Sequence, residues 1–106
     1  MIPKYQIGEK KTISVAPYEN NIGTITEVRK IYQEIKPDGT FKPRGLRISD
    51  DTLPYMAHYF DGDVLVSKGF DHDIMRGEIR LKFKEFSYSL DLTSGQSVGI
   101  LEKDLK

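Results

Sequence analysis

The sequence of 106 residues contains no cysteine, and this absence removes several kinds of chemistry at once. Without a thiol there is no disulfide, no thiolate metal ligand and no cysteine nucleophile. Glycines such as Gly8, Gly23 and Gly39 stand alone rather than in a phosphate-binding loop, and no serine has the Gly-x-Ser-x-Gly setting of a hydrolase. These absences predict a protein that is not an enzyme and uses no cofactor.

Long apolar runs are also missing from the sequence. The first residues lack an apolar core of signal-peptide length, and no run approaches the roughly 18 residues that cross a bilayer. We therefore expect a cytoplasmic protein with no membrane partner. Lys and Arg together number 16, as do Asp and Glu, so the formal net charge is zero. Strong overall attraction to nucleic acid or to anionic membranes is not expected.

Alternation of apolar and polar residues is the strongest pattern that the chain does contain. Residues 78–83 alternate with a period of two, and residues 86–92 alternate again, one position out of phase. This shift predicts a tight turn or a bulge at Lys84-Glu85. Residues 93–96 are typical of a turn, and residues 97–101 are predicted to form a further strand.

Turn and helix signals complete the predicted secondary structure. Asp38-Gly39 and Asp61-Gly62 predict tight turns, because Gly accepts positive φ without steric cost, and the first should form the tip of a long hairpin. Apolar residues at helical spacing predict a short helix near residues 51–60. Residues 24–36 have the same spacing but are rich in β-branched side chains. A strand is preferred there, and a helix, which would give an α+β fold, is the alternative.

Two parts of the chain show a weak internal similarity. The same interval separates Gly8 from Gly23 and Gly62 from Gly77, and a tyrosine stands three residues before the first glycine of each pair. The similarity predicts two diverged copies of one unit, at residues 1–54 and 55–106. The alternative is a single domain over residues 1–106.

Residues 16–25 resemble the KOW-type element of Src-homology-3-like barrels. Pro17 and Gly23 have the family's spacing, Tyr18 takes its aromatic position, and Asn20 is expected to adopt the left-handed conformation of a glycine. Ala16 replaces the family's usual glycine, and the similarity extends over residues 5–28. The resemblance implies a small, strongly curved β-barrel, a fold that binds RNA, DNA or protein. With the duplication it predicts a mainly β chain of two barrels packed together.

Residues 29–47 form the most basic segment, opposed only by Glu34 and Asp38. Cations beside exposed aromatic rings suit a phosphate backbone with stacked bases. The alternative is a solvated hairpin whose rings point into the core. The predicted binding surface, for protein or nucleic acid, consists of Arg29, Lys30, Tyr32, Lys36, Phe41, Lys42, Arg44 and Arg47.

Both histidines lie among aspartates in residues 58–73, where they suggest a site for a divalent cation. The spacing fits no metal-binding loop, so solvated turn residues are preferred, and metal dependence is an alternative. The residues that would be ligands are His58, Asp61, Asp63, Asp71 and His72.

Neutral charge, missing catalytic motifs and short strands together predict a non-enzymatic interaction module that binds a protein partner. Binding of nucleic acid through the basic hairpin is the second hypothesis. Small size and neutrality are also typical of accessory proteins of phages and mobile elements, which often inhibit or adapt a host factor.

Overall fold

The computed structural model describes residues 2–68 and 78–106, and these are mainly β. These described residues form seven strands and two short 3-10 helices. The strands are β1 (Lys10–Thr12), β2 (Ile22–Glu34), β3 (Arg47–Ser49), β4 (His58–Asp61), β5 (Val64–Ser67), β6 (Ile79–Leu92) and β7 (Ser97–Leu101), and the 3-10 helices are Asp50–Tyr55 and Glu102–Asp104.

The strands form one antiparallel sheet in the order β1-β2-β6-β5-β4, with β3 also paired to β2 and β7 also paired to β6. The mainly β prediction is therefore confirmed. The alternative helix at residues 24–36 is wrong, because β2 occupies Ile22–Glu34. Side chains branched at Cβ, such as Ile25 and Val28, restrict χ1 in a helix and fit the pleated surface of a sheet.

The short helix predicted near residues 51–60 is confirmed but ends earlier. It is a 3-10 helix that stops at Tyr55, because Met56 already has extended φ and ψ. Gly62, with φ +63°, then turns the chain so that β4 pairs with β5 in four consecutive positions. Phe60, which falls within the predicted helix, lies on a strand. In the described part of the chain no helix is long and apolar enough to cross a membrane.

The chain forms two compact units. The first unit comprises the described residues of Met1–Arg29 and Glu85–Lys106, and the second comprises those of Lys30–Lys84. Both long strands, β2 and β6, contribute to both units. The duplication of residues 1–54 as 55–106, and the barrel implied by the KOW-type resemblance, stay predictions.

The first unit contains β1, the beginning of β2, the end of β6, and β7. Asn20 has φ +67°, the left-handed conformation that the sequence predicted. Gly23 follows in β2, where a Cβ atom would stand only 2.9 Å from the Cβ atom of Leu90. The buried hydrophobic residues of this unit are Tyr5, Ile13, Ile25, Phe86, Tyr88, Leu90, Leu92, Val98, Ile100 and Leu105.

The second unit contains the end of β2, β3, β4, β5 and the beginning of β6. The two Asp-Gly turns are confirmed, with Gly39 at φ +88° and Gly62 at φ +63°. The core of this unit consists of Tyr32, Ile48, Leu65, Ile79 and Leu81, with Leu46, Leu53, Met56 and Phe83 packed against it.

The predicted phase shift in β6 is present; of its two predicted causes the tight turn is wrong, and the bulge stays a prediction. The strand continues through Lys84-Glu85, so the chain does not turn there. Buried positions are odd-numbered at Ile79 and Leu81 and even-numbered from Phe86 onward. The change falls where the chain passes from the second unit to the first. The β6 residues buried in the second unit are therefore odd-numbered, and those buried in the first unit are even-numbered.

Candidate functional site

The predicted basic hairpin is present in the second unit, where β2 and β3 are antiparallel neighbours. Its tip is a turn in which Asp38 Oδ1 accepts hydrogen bonds from the backbone N–H of Thr40 at 2.9 Å and from its hydroxyl at 2.6 Å. These bonds lower the pKa of Asp38 below its usual value. The turn is therefore fixed by its own side chains.

Two residues of β2 hold the chain that returns from this tip. Gln33 Nε2 donates to the carbonyl of Lys42 at 2.5 Å. The Glu34 carboxylate accepts from Lys42 Nζ at 2.7 Å and from the backbone N–H of Leu46 at 3.1 Å. Gly45 permits this close approach, since a Cβ atom there would stand 2.8 Å from Glu34 Cβ. The loop is ordered by these contacts, and the charge of Lys42 is balanced by Glu34.

Neither aromatic residue of the predicted surface has a fully exposed ring on which a base could stack. Tyr32 is only 7% exposed and belongs to the core of the second unit. Burial raises the pKa of its phenol, and the nearby charge of Asp50 raises it further. Phe41 is partly buried, and Lys84 Nζ lies 4.5 Å from the centre of its ring. The interpretation in which the rings serve the core holds for Tyr32.

The basic residues of the predicted set are not all brought together. Arg29 lies in the first unit, where it forms an ion pair with Glu27 at 2.8 Å and a hydrogen bond with the Ser89 hydroxyl. The other basic members, all in the second unit, are the partly buried Lys30, the exposed Lys36, Lys42 and Arg44, and Arg47, which donates to Gln33 Oε1 at 3.2 Å.

Two further lysines join the hairpin from β6. Lys82 Nζ would lie 3.8 Å from a Cβ atom at Gly39, and Lys84 covers Phe41. The basic tip is defined here as Lys36, Lys82 and Lys84. The alternation of residues 78–83 showed that Lys82 faces away from the core, but only the fold places it beside the hairpin.

A second surface of the same unit was not predicted from the sequence. Tyr55 is 90% exposed, Tyr59 is 43% exposed and Phe60 is 49% exposed. Two of these lie in β4, the last strand of the sheet order, and Tyr55 ends the helix before it. We call these three side chains the aromatic edge. The adjacent pair Tyr59-Phe60 before Asp61-Gly62 was the available signal, which the helical interpretation of residues 51–60 obscured.

The rings of Tyr59 and Phe60 each contact neighbouring side chains. The ring of Phe60 lies 6.1 Å from that of Tyr32 and 6.2 Å from that of His58. The Tyr59 hydroxyl donates to Glu78 at 3.4 Å, and Lys68 Nζ lies 5.9 Å from the Tyr59 ring centre. These contacts leave a substantial part of each ring accessible but limit its rotation.

The residues around the aromatic edge carry more negative than positive charge, although Lys68 lies over the Tyr59 ring and Arg80 pairs with Asp61. Residues 48–67 contain no Lys or Arg and four aspartates, and of these Asp61 pairs with Arg80 at 3.0 Å. The basic tip and the aromatic edge therefore give one unit two surfaces of opposite charge. The aspartates are Asp50, Asp51, Asp61 and Asp63.

The predicted metal ligands are only partly covered by the structure. Asp71 and His72 lie outside the described residues. His58 Nδ1 lies 2.9 Å from the carbonyl oxygen of Met56, and Asp61 is engaged by Arg80. Within residues 2–68 and 78–106 no three His, Asp or Glu side chains come together as metal ligands.

The first unit has a polar network around the buried Tyr88 side chain, with a different role. The Tyr88 hydroxyl donates to Glu102 at 2.5 Å and accepts from the backbone N–H of Tyr5 at 3.2 Å, and the N–H of Lys4 donates to the same carboxylate at 3.0 Å. Burial and this carboxylate raise the pKa of Tyr88 to about 12. The network fastens the segment before β1 to the helix after β7.

Comparison with known proteins finds no family model, no curated protein and no solved structure that matches the chain. A function has to follow from the surfaces of the chain itself.

Proposed function

We propose that the protein is a non-enzymatic interaction module that binds a protein partner through its aromatic edge. The observation that carries this proposal is the exposure of Tyr55, Tyr59 and Phe60 in and beside one terminal strand. Large exposed apolar side chains mark interaction surfaces, and tyrosine is among the residues that supply most of the binding energy at interfaces.

The contacts that restrain these side chains also support the proposal. Phe60 rests against Tyr32, and Tyr59 is restrained by Glu78 and Lys68. A side chain that is already restrained loses less conformational entropy when a partner covers it. The aromatic edge is therefore preorganised for binding.

The test is capture and titration of the partner with the double variant Tyr55→Ala/Tyr59→Ala. Capture from cells that express the protein identifies the partner, and a titration with the purified partner gives the affinity. Loss of two interface anchors of about 1.4 kcal/mol or more each would weaken binding about a hundredfold.

The matched control is Ile7→Ala, which removes a side chain that is 67% exposed in the first unit. Its affinity should equal that of the unchanged protein, and circular dichroism should show that all variants are folded. Equal affinity of the double variant and the control would remove the aromatic edge as the binding surface.

A second candidate function is the binding of nucleic acid by the basic tip. Lys36, Lys82 and Lys84 gather around the hairpin turn, and Arg44 is exposed on the same loop. Such cations neutralise phosphates, and binding that releases counterions weakens steeply as salt rises. A gel-shift titration at two salt concentrations, with Lys82→Gln/Lys84→Gln as the variant, tests it. Absence of binding at low salt removes this candidate.

We also propose that the first unit is related to KOW-type barrels. The positive φ of Asn20 and the close approach of Gly23 to Leu90 support the resemblance, because both positions favour residues without a bulky Cβ substituent. A barrel of this kind hosts many binding functions, so the relation is compatible with either candidate function.

A further inference from the structure

The backbone of β4 has one edge that faces away from β5. The strand is joined to β5 by the turn at Gly62-Asp63, and Asp61 pairs with Val64 beside that turn. The Lys68 N–H donates to the carbonyl of Ala57 at 3.1 Å, at the other end of the ladder. In an antiparallel pair, alternate residues direct both backbone groups toward the neighbour.

This alternation decides which groups are free. Residues 57, 59 and 61 direct their N–H and C=O groups to β5, so His58 and Phe60 direct theirs outward. Within the described ranges these outward groups have no hydrogen-bond partner. The outer edge of β4 therefore offers two donors and two acceptors in strand geometry.

The edge of β4 lacks three of the features that protect terminal strands, namely lysine, proline and a bulge. Natural proteins block such edges with lysine, proline, a bulge or a very short strand. β4 has the sequence His-Tyr-Phe-Asp and a regular register over four consecutive pairs. By contrast β3 has only three residues and begins with Arg47. An unprotected edge with exposed rings is the geometry that accepts an added strand.

The charge of the residues around β4 determines which kind of strand can bind to its edge. Residues 48–67 have four aspartates, and their described neighbours Lys68, Arg80 and Glu78 add two positive charges and one negative charge. The remaining excess of negative charge would repel an acidic strand and attract a basic one. Side chains of an added strand would alternate between the face of Tyr59 and the face of His58 and Phe60. Lys or Arg over Tyr59 would gain a cation–π contact in addition to the nearby aspartates.

We propose that β4 binds an extended basic segment of a partner protein as an additional strand of the sheet. The backbone groups of His58 and Phe60 bind its main chain, and the aromatic edge and the aspartates bind its alternating side chains. This inference rests on the proposed function and specifies its binding mode and the chemistry of the partner.

The test uses a short fluorescein-labelled peptide in which Lys and Val alternate, titrated with the full chain by fluorescence polarisation. The variant is His58→Pro, which removes an outward N–H that the β5 ladder does not use. The matched control is His58→Ala, which loses the same imidazole and keeps the N–H. We expect His58→Pro to bind about tenfold more weakly than His58→Ala, since a lost hydrogen bond and a steric block together amount to about 1.4 kcal/mol.

Two peptide variants test the same inference without any change in the protein. Methylation of every backbone amide in the Lys-Val peptide should abolish binding, because no peptide N–H is left to donate to the outward carbonyl groups of β4. A peptide with Glu in place of Lys should not bind. Equal binding of the methylated peptide would overturn strand addition, and equal binding of the Glu peptide would overturn the basic occupant.

The outcomes separate this inference from the proposed function. Equal affinity of His58→Pro and His58→Ala overturns strand addition, while the effect of Tyr55→Ala/Tyr59→Ala on the partner still decides the proposed function. Sedimentation of the chain alone tests a second copy as the occupant. Dimers that are lost in His58→Pro and kept in His58→Ala, together with no binding of the Lys-Val peptide, would overturn the partner segment in favour of self-association.

Discussion

Among the described residues only the second unit has exposed aromatic side chains, although its core also contains the buried ring of Tyr32. In the first unit Tyr5, Phe86 and Tyr88 are buried, and Tyr88 is fully inaccessible. In the second unit Tyr55 and Tyr59 are exposed in or beside β4. Buried rings contribute to stability, whereas exposed rings are available to a partner. The comparison indicates that stability of the first unit and binding by the second can be altered separately.

One side-chain contact in each unit shows a difference in burial. The hydrogen bond from Tyr88 to Glu102 joins a buried hydroxyl to a partly buried carboxylate, whereas Arg80 and Asp61 in the second unit are both exposed. A hydrogen bond inside a protein is stronger than one in water, and its loss leaves a polar atom unsatisfied. Removal of equivalent contacts should therefore have unequal effects.

The largest expected effect comes from truncation of one tyrosine in each unit. Tyr88→Ala should lower the free energy of unfolding by about 3–5 kcal/mol, because it opens a cavity in the core of the first unit. Tyr55→Ala should change it by less than about 0.5 kcal/mol, because that ring is 90% exposed. Urea denaturation followed by circular dichroism measures both. A comparable loss in the two variants would contradict the division of roles.

The hydroxyl of Tyr88 alone should account for part of that effect. Tyr88→Phe keeps the ring but removes the donor to Glu102 and the acceptor for the Tyr5 N–H. We expect a loss of about 1–3 kcal/mol, since both of these groups lose a partner. Denaturation at neutral pH measures the difference between the variant and the unchanged protein.

The pH dependence of this difference identifies its source. The pKa of Tyr88 is raised from 10.0 to about 12, so the folded protein favours the protonated phenol. The stability that the hydroxyl contributes is complete below about pH 10 and is lost as the pH rises toward about 12. The gap between the unchanged protein and Tyr88→Phe should shrink over this range. A gap that stays constant would show that the phenol proton has no part in it.

Much of the fold follows from local patterns. The strand predicted at residues 97–101 has the observed bounds of β7, and both Asp-Gly turns form. Alternation was reliable because one face of each of these strands is buried. At Lys84-Glu85 alternation did not distinguish a turn from a bulge, since a change in the phase of the buried residues looks the same in sequence in both cases. Phe60 was misplaced because helical spacing over a few residues also fits a strand after a short helix.

The candidate surfaces were less predictable than the strands. Charge density located the basic hairpin, but nothing local showed that Tyr32 points inward. Lys82 and Lys84 belong to the same surface through pairing between distant segments, which a single sequence does not reveal. The accessibility of the β4 edge depends on strand order, and strand order is a property of the whole sheet.

A smaller effect is expected from the close contact at Gly23. Gly23→Ala would place a Cβ atom 2.9 Å from Leu90 Cβ, so the first unit must shift at a cost of about 1–3 kcal/mol. Gly99→Ala is the matched control in the same unit, since the nearest atom is a flexible Arg29 nitrogen at 3.9 Å. Thermal unfolding of both variants measures the difference. If Gly23→Ala is as stable as Gly99→Ala, tight packing at this position is refuted.

The smallest effect is expected from the exposed ion pair of the second unit. Arg80→Gln removes the contact with Asp61 at 3.0 Å, but the two side chains are 45% and 66% exposed. Water and salt screen such a pair, so the loss should be about 0–1 kcal/mol and should vanish at high salt. Urea denaturation at two salt concentrations measures it. A loss as large as that of Tyr88→Phe that persists at high salt would show that the stability of the second unit also depends on its polar contacts. The difference between the two units would then be limited to their aromatic residues.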